Sequence, residues 1–108
     1  MTKMAKLLGV TRATRNELID VISKLAEAKH LCEVMLLRFP HLSPTFAPLE
    51  MRMRALSQMV GMELKKKHYN YMEKAYLHLL NKEIDEGIRF TRFALDLLLN
   101  KPWVRRAA

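Results

Sequence analysis

Seven residues between positions 18 and 39 alternate steps of three and four without a miss, and this spacing limits what the chain can fold into. They are Leu18, Val21, Leu25, Ala28, Cys32, Met35 and Phe39. Side chains spaced in this way share one face of an α-helix. Thr14 and Glu17 stand at capping-box spacing just before the stripe, and Pro40 follows it. We therefore predict a first helix over residues 14–39, about 39 Å long.

The rest of the chain continues in helical patterns. Residues 40–48 hold three of the four prolines and are predicted to form a stiff connector. Residues 49–100 carry the remaining stripes, which begin with Leu49, Met53, Leu56, Val60 and Leu64. A third face is predicted from Met72, Ala75 or Tyr76, and Leu79, then a turn at Asn81 and Lys82, then a last helix with Ile84, Ile88, Thr91, Leu95 and Leu98.

These patterns predict a single all-α domain over residues 1–108. The chain has only three glycines, and strong helix formers dominate it. The fold is expected to be a compact bundle of four helices, or of three if the second and third fuse, with a short N-terminal helical segment. Residues 1–13 form a basic N-terminal segment and residues 101–108 a basic tail.

Charge and cysteine content narrow the class of protein. The 19 Lys and Arg outnumber the 11 Asp and Glu, which gives a formal charge of +8. This excess favours a polyanionic partner, such as nucleic acid or an acidic protein surface, although it can also serve solubility alone. Cys32 is the single cysteine, so an internal disulfide is impossible. No stretch is apolar enough for a signal peptide or a transmembrane helix, and we expect a cytoplasmic protein.

The opening stretch "AKLLGVTRAT" resembles the helix-turn-helix motif of bacterial repressors and recombinases over residues 2–19. Ala5 stands where two helices cross, and Gly9 stands at the turn, followed by Val10 and Thr11. Gly can take the positive φ of such a turn, and Thr can cap the helix that follows. Arg15 departs from the pattern, which has Val, Ile or Leu at that position.

The resemblance implies a DNA-binding role for five residues. Arg12 is expected to read guanine and Asn16 adenine, while Thr11, Lys3 and Lys6 are expected to hold phosphates. The alternative interpretation is a basic segment broken at Gly9, with a capped helix that starts at Thr14.

The C-terminal part suggests a second kind of surface. Arg89 and Arg92 are three residues apart on the last helix, next to a strip with Phe90 and Phe93. In the tail, Trp103 lies near Arg105 and Arg106 and is a candidate interface anchor. The five residues expected to bind a protein partner are Arg89, Arg92, Trp103, Arg105 and Arg106.

Catalytic chemistry finds little support in the sequence. The four histidines do not have metal-ligand spacing, and Cys32 has no evident base partner. We therefore expect no catalytic residues, no metal site, no cofactor and no enzyme activity. The sequence favours a small regulatory protein that binds DNA through the N-terminal segment. The alternative is an adaptor or inhibitor that docks on an acidic surface of a larger protein, and a homodimer is compatible with both.

Overall fold

The computed structural model describes residues 11–66 and 71–100. Within these residues the chain forms three α-helices, here called α1 (Arg15–Arg38), α2 (Ser43–Leu64) and α3 (Lys74–Asn100). A 3₁₀ turn at Pro40–Leu42 joins the first two. The predicted all-α class is confirmed. Among the described helices, none is long and apolar enough to cross a membrane.

Helix α1 follows the sequence pattern closely. Thr14 is its N-cap: the Thr14 hydroxyl accepts a hydrogen bond from the Glu17 amide at 3.2 Å, and the Glu17 carboxylate accepts one from the Thr14 amide at 3.2 Å. All seven residues of the first stripe are buried. The helix ends at Arg38 because Pro40 cannot continue it.

Helix α2 begins earlier than the sequence pattern predicts. The expected connector over 40–48 is reduced to the 3₁₀ turn, and the helix starts at Ser43. Pro44 is tolerated because it lies in the first turn, where backbone amides have no helical partner. Pro48 removes one hydrogen bond inside the helix. Phe46 is buried in this first part of α2, and its burial favours the longer helix.

Helix α3 corrects two predictions. No turn forms at Asn81 and Lys82; the third and fourth predicted helices are one continuous helix, rather than the second and third. Its buried face consists of Leu77, Leu80, Ile84, Ile88, Thr91 and Leu95. The face predicted from Tyr76 and Leu79 is wrong, because both side chains are exposed. The stripe predicted for the last helix continues towards the N-terminus through Leu80 and Leu77. This longer stripe is the side of α3 that packs into the core of the bundle.

The three helices form an up-down-up bundle in which α1 packs against both others. Ion pairs show that α1 and α3 run parallel, since Glu17 lies near Lys74 and Lys24 near Asp85. Helices α2 and α3 run antiparallel. Phe46, near the start of α2, stacks on Phe90 with ring centroids 5.4 Å apart, whereas Arg52, further along α2, binds Glu83, nearer the start of α3.

The core has two parts along the bundle axis. The larger cluster lies in the middle and at the end where α1 begins, around Leu25, Leu56 and Ile84. The smaller cluster lies at the other end and contains Met35, Phe39, Phe46 and Leu95. Burial of apolar side chains along the whole of α1 is the main contribution to stability that these contacts indicate.

A short backbone pairing, which we call the clasp, closes the end of the bundle where α1 begins. It joins residues 11–13 to residues 71–74 through an antiparallel bridge between Arg12 and Glu73. The Ala13 amide donates to the Met72 carbonyl at 2.9 Å, and the Lys74 amide donates to the Thr11 carbonyl at 2.6 Å. The segment before α1 is therefore extended, and its backbone groups are bonded to the α2–α3 connection.

Candidate protein-interaction surface

The residues predicted to contact DNA lie at the clasp end, so far as they are described. Thr11 and Arg12 precede α1 in the extended segment, and Asn16 is exposed in its first turn. The Arg12 guanidinium donates a hydrogen bond to the Tyr71 carbonyl at 3.1 Å. Lys3 and Lys6 lie outside the described residues.

The structure brings three polar side chains of this region together around one shallow cavity of about 470 Å³. Arg12, Arg15 and Asn16 line it together with Ala13, Thr14 and Tyr71. Arg15, which stands where the helix-turn-helix pattern has an apolar residue, is exposed, so its guanidinium is not buried without a partner. Because α1 begins at Arg15, Arg12 approaches this cavity from extended backbone and not from a helix.

The predicted arginine pair lies on α3. Arg89 and Arg92 line a surface cavity of about 490 Å³ between α1 and α3, together with Lys24, Glu27 and Asp85. Arg92 forms an ion pair with Glu27, and Lys24 pairs with Asp85 at 3.2 Å. Arg89 is exposed and makes no ion pair with any residue in the described ranges. Trp103, Arg105 and Arg106 lie in the tail that the structure does not describe.

A second apolar stripe on α3 is the most distinctive surface feature. Tyr76, Leu79, Phe90, Phe93 and Leu97 are 45%, 62%, 50%, 64% and 48% exposed. Glu83 and Glu86 stand between them. We call these seven residues the α3 outer face. They point away from α1, whereas the first stripe of α3 points into the core, so the helix is apolar on two sides.

Side chains of α2 fix the edge of the outer face that borders this helix. Phe90 stacks on the buried ring of Phe46, so half of its surface is fixed by the bundle. The guanidinium of Arg52 binds the Glu83 carboxylate with two hydrogen bonds, at 2.8 and 3.1 Å. The hydrogen bonds from Arg52, and secondarily its charge, lower the pKa of Glu83 despite partial desolvation. The apolar side chains of the face are thus presented from an ordered helix.

Only part of this face is predicted from the sequence. Phe90 and Phe93 are predicted as a strip next to Arg89, but Leu79, with Ala75 or Tyr76, is predicted on a packed face, and Leu97 is not assigned to either. A usable signal was present: positions 76, 79, 83, 86, 90, 93 and 97 alternate steps of three and four. One helix with two such stripes has more apolar side chains than its own bundle can bury.

Groups that could support catalysis are sparse in the residues described. Across residues 11–66 and 71–100, no cluster of three His, Cys, Asp or Glu side chains has metal-binding geometry. Cys32 is buried at the centre of α1, and desolvation raises the pKa of its thiol. Burial therefore keeps this thiol protonated and away from solvent, as a small core residue rather than a nucleophile.

Comparison of the chain with protein-family models, with curated protein sequences and with solved structures finds no match.

Proposed function

We propose that the chain is a non-catalytic protein-binding module that recognises its partner through the α3 outer face. The observation that carries this proposal is the exposure of Leu79, Phe90, Phe93 and Leu97 along one side of an ordered helix. Apolar patches of this kind on a folded domain typically mark protein interaction sites. Helices present such anchors to a groove or to another helix at steps of three and four.

The charged residues around the face are compatible with a protein partner. Of the two cations predicted for an acidic partner, Arg92 is already paired with Glu27, whereas Arg89 remains exposed beside Phe90 and Phe93. An aromatic pair with an adjacent arginine has the composition of an interface hot spot. The partner-binding surface is thus centred on the phenylalanines, with Arg89 at its rim.

Site-specific photo-cross-linking tests this proposal. The photoreactive residue p-benzoyl-phenylalanine replaces Phe93 in the full chain, and irradiation is carried out in the cells that encode the chain. Met62 carries the same group in a control, because it is 70% exposed on α2 against 64% for Phe93. We expect a discrete protein adduct from position 93 and none from position 62. Equal labelling from both positions, or none from position 93, would refute the proposal.

DNA binding by the N-terminal segment is a second proposal, favoured by a different observation. Arg12, Arg15 and Asn16 line one cavity at the start of α1, and none of the described residues that line it is acidic. Such a positive surface favours phosphate contacts. The sequence-specific roles assigned to Arg12 and Asn16 stay predictions.

Fluorescence anisotropy with labelled duplexes across a salt series tests the second proposal. Arg15→Ala is expected to weaken binding and to reduce the salt slope by about one. Arg38→Ala, at the other end of α1, is the matched control because Arg38 is also exposed. If the two variants bind DNA equally well, the cavity at the start of α1 is not a DNA contact.

A further inference from the structure

We propose that the occupant of the α3 outer face is a second copy of this chain, packed with α3 antiparallel to α3 about a two-fold axis at the level of Ile88. This inference rests on the proposed protein-binding role of the face and names its partner. The spacing, the charges and the area of the face support a second copy as the occupant.

The spacing of the face is that of a coiled-coil seam. The seven positions from Tyr76 to Leu97 alternate steps of three and four, as positions a and d of heptads do. A helix with this pattern on its exposed side is suited to pack against another helix rather than against a flat surface. The 27 residues of α3 are long enough for about four heptads.

The two acidic residues of the seam determine the direction of pairing. In a parallel, in-register pair, Glu83 would face Glu83 and Glu86 would face Glu86 of the second copy, and like charges would be buried together. With an antiparallel pair centred at Ile88, residues equally far from Ile88 on either side face one another. Leu79 then packs on Leu97 of the second copy, and both glutamates lie opposite phenylalanines.

In the antiparallel arrangement both seam carboxylates lie near a cation, Glu83 near Arg52 of its own copy and Glu86 near Arg89 of the second copy. Glu83 already has Arg52, and its two hydrogen bonds leave the aliphatic part of the side chain free to cover Phe93 of the second copy. Glu86 lies next to Arg89 of the second copy in this register. The carboxylates therefore reach the edge of the seam while the rings fill its centre.

Two of the charges at the rim of the face are complementary across the two-fold axis. Lys82 and Asp96 lie on the same flank of α3, six residues before and eight residues after Ile88, so each comes close to the other in the second copy. Arg89 lies on this flank one residue from Ile88, and it comes close both to Arg89 and to Glu86 of the second copy. The side chains of Lys82, Glu86, Arg89 and Asp96 are exposed and form no ion pair with the described residues. Two of these four are basic and two acidic, and Glu83 is paired with Arg52, so the face and its rim together carry no net charge although the whole chain carries +8. A surface for a strongly acidic partner would instead be of one sign.

The area of the face is compatible with a modest but specific dimer. Its aromatic side chains have an area of about 200 Å² each. Multiplying this area by the exposed fraction of each of the five apolar side chains gives roughly 500 Å² of exposed apolar surface per copy. Two copies would bury roughly 1,000 Å² before the flanking charges are counted, which reaches the lower limit of specific interfaces.

Sedimentation equilibrium of the full chain, between about 1 and 100 μM, tests the inference. We expect the mass to approach twice the 12.7 kDa of one chain. Phe93→Asp is expected to weaken dimerisation at least thirtyfold, whereas Met62→Asp, the control at an equally exposed position off the face, leaves it unchanged. Circular dichroism melts of both variants check that the fold is retained.

The direction of pairing needs a separate readout. Lys82→Glu is expected to weaken the dimer, and the double change Lys82→Glu with Asp96→Lys is expected to restore it, because the exchanged charges again face each other. Loss of dimer in the double variant would overturn the antiparallel register.

The outcome also distinguishes this inference from the proposed function. A wild-type chain that is monomeric at 100 μM while position 93 cross-links to a different protein overturns the inference and leaves the face as a binding site. A monomer that gives no adduct at position 93 refutes both.

Discussion

The two glycines within the described helices allow a sharp test of how closely α2 and α3 pack. Gly61 lies in α2, and a β-carbon added there meets nothing within 4 Å. Gly87 lies in α3, and a β-carbon added there would lie 3.3 Å from the Met53 terminal methyl and 3.5 Å from a methyl of Leu49. Glycine in a helix interior costs roughly 0.5–1 kcal/mol relative to alanine. The same substitution therefore gives the same intrinsic gain at both sites and a steric cost at only one.

For Gly61→Ala we expect the full gain, an increase of about 0.5–1 kcal/mol in the free energy of unfolding. A domain of this size then melts about 3–6 °C higher. For Gly87→Ala the contact with Met53 must lengthen by a few tenths of an ångström, and the side chain of Met53 is fully buried. Overpacking of a core by one methyl group costs about 1 kcal/mol or more. The two effects nearly cancel, and the net change is expected to be close to zero.

Urea unfolding monitored by circular dichroism measures both changes, and an unchanged dependence on denaturant shows that the two-state comparison is valid. The informative quantity is the difference between the variants, expected to be at least about 0.5 kcal/mol in favour of Gly61→Ala. Equal stabilisation by both substitutions would show that α3 does not approach Met53 as closely as the structure has it. A destabilising Gly61→Ala would refute the argument from helix propensity itself.

Three further predictions concern the cap, the buried thiol and an ion pair. Thr14→Ala removes the N-cap of α1 and is expected to cost about 1 kcal/mol in urea unfolding, whereas Thr14→Asn should cost far less; equal losses would argue against the cap. Cys32 is buried with a raised pKa, so a thiol reagent should label it only when the chain unfolds, and rapid labelling of the native protein would contradict its core position. Arg52 lowers the pKa of Glu83, and a carboxyl whose pKa is lowered by folding adds stability above its unfolded pKa and loses it as the pH falls through the folded value. Arg52→Gln should therefore destabilise the chain by at most about 1 kcal/mol near neutral pH, with the loss vanishing in acid; a loss that persists in acid would point to packing instead.

The sequence predicts helix α1 almost completely because its local signals agree. The capping box marks the start of the helix, the unbroken stripe its buried face and Pro40 its end. Tertiary packing agrees with all three signals. The other two helices show where such reasoning fails. At the start of α2, prolines are strong signals for a connector, but the burial of Phe46 outweighs the hydrogen bond lost at Pro48.

In α3, the competition is between two stripes on one helix. Both follow helical spacing, so periodicity alone does not show which of them faces the core. The structure selects Leu77 and Leu80 and leaves Leu79 exposed, because only their stripe is continuous with Ile84 and Ile88. The candidate surface is predicted only in part for the same reason: Leu79 is assigned to a packed face, so Phe90 and Phe93 are not recognised as belonging to a longer exposed stripe.

The clasp has a consequence for the order in which the chain folds. Its two segments are nearly sixty residues apart in sequence, as the 59-residue separation of Arg12 from Tyr71 shows. Both α1 and α2 lie in the loop that it closes, and the entropy of closing so long a loop is recovered only once these helices have docked. The backbone pairing at the clasp is therefore formed late and opens early. The Ala13 and Lys74 amides should exchange with solvent sooner than those in the middle of α1, so the molecule opens from that end while the smaller cluster at the other end is still packed.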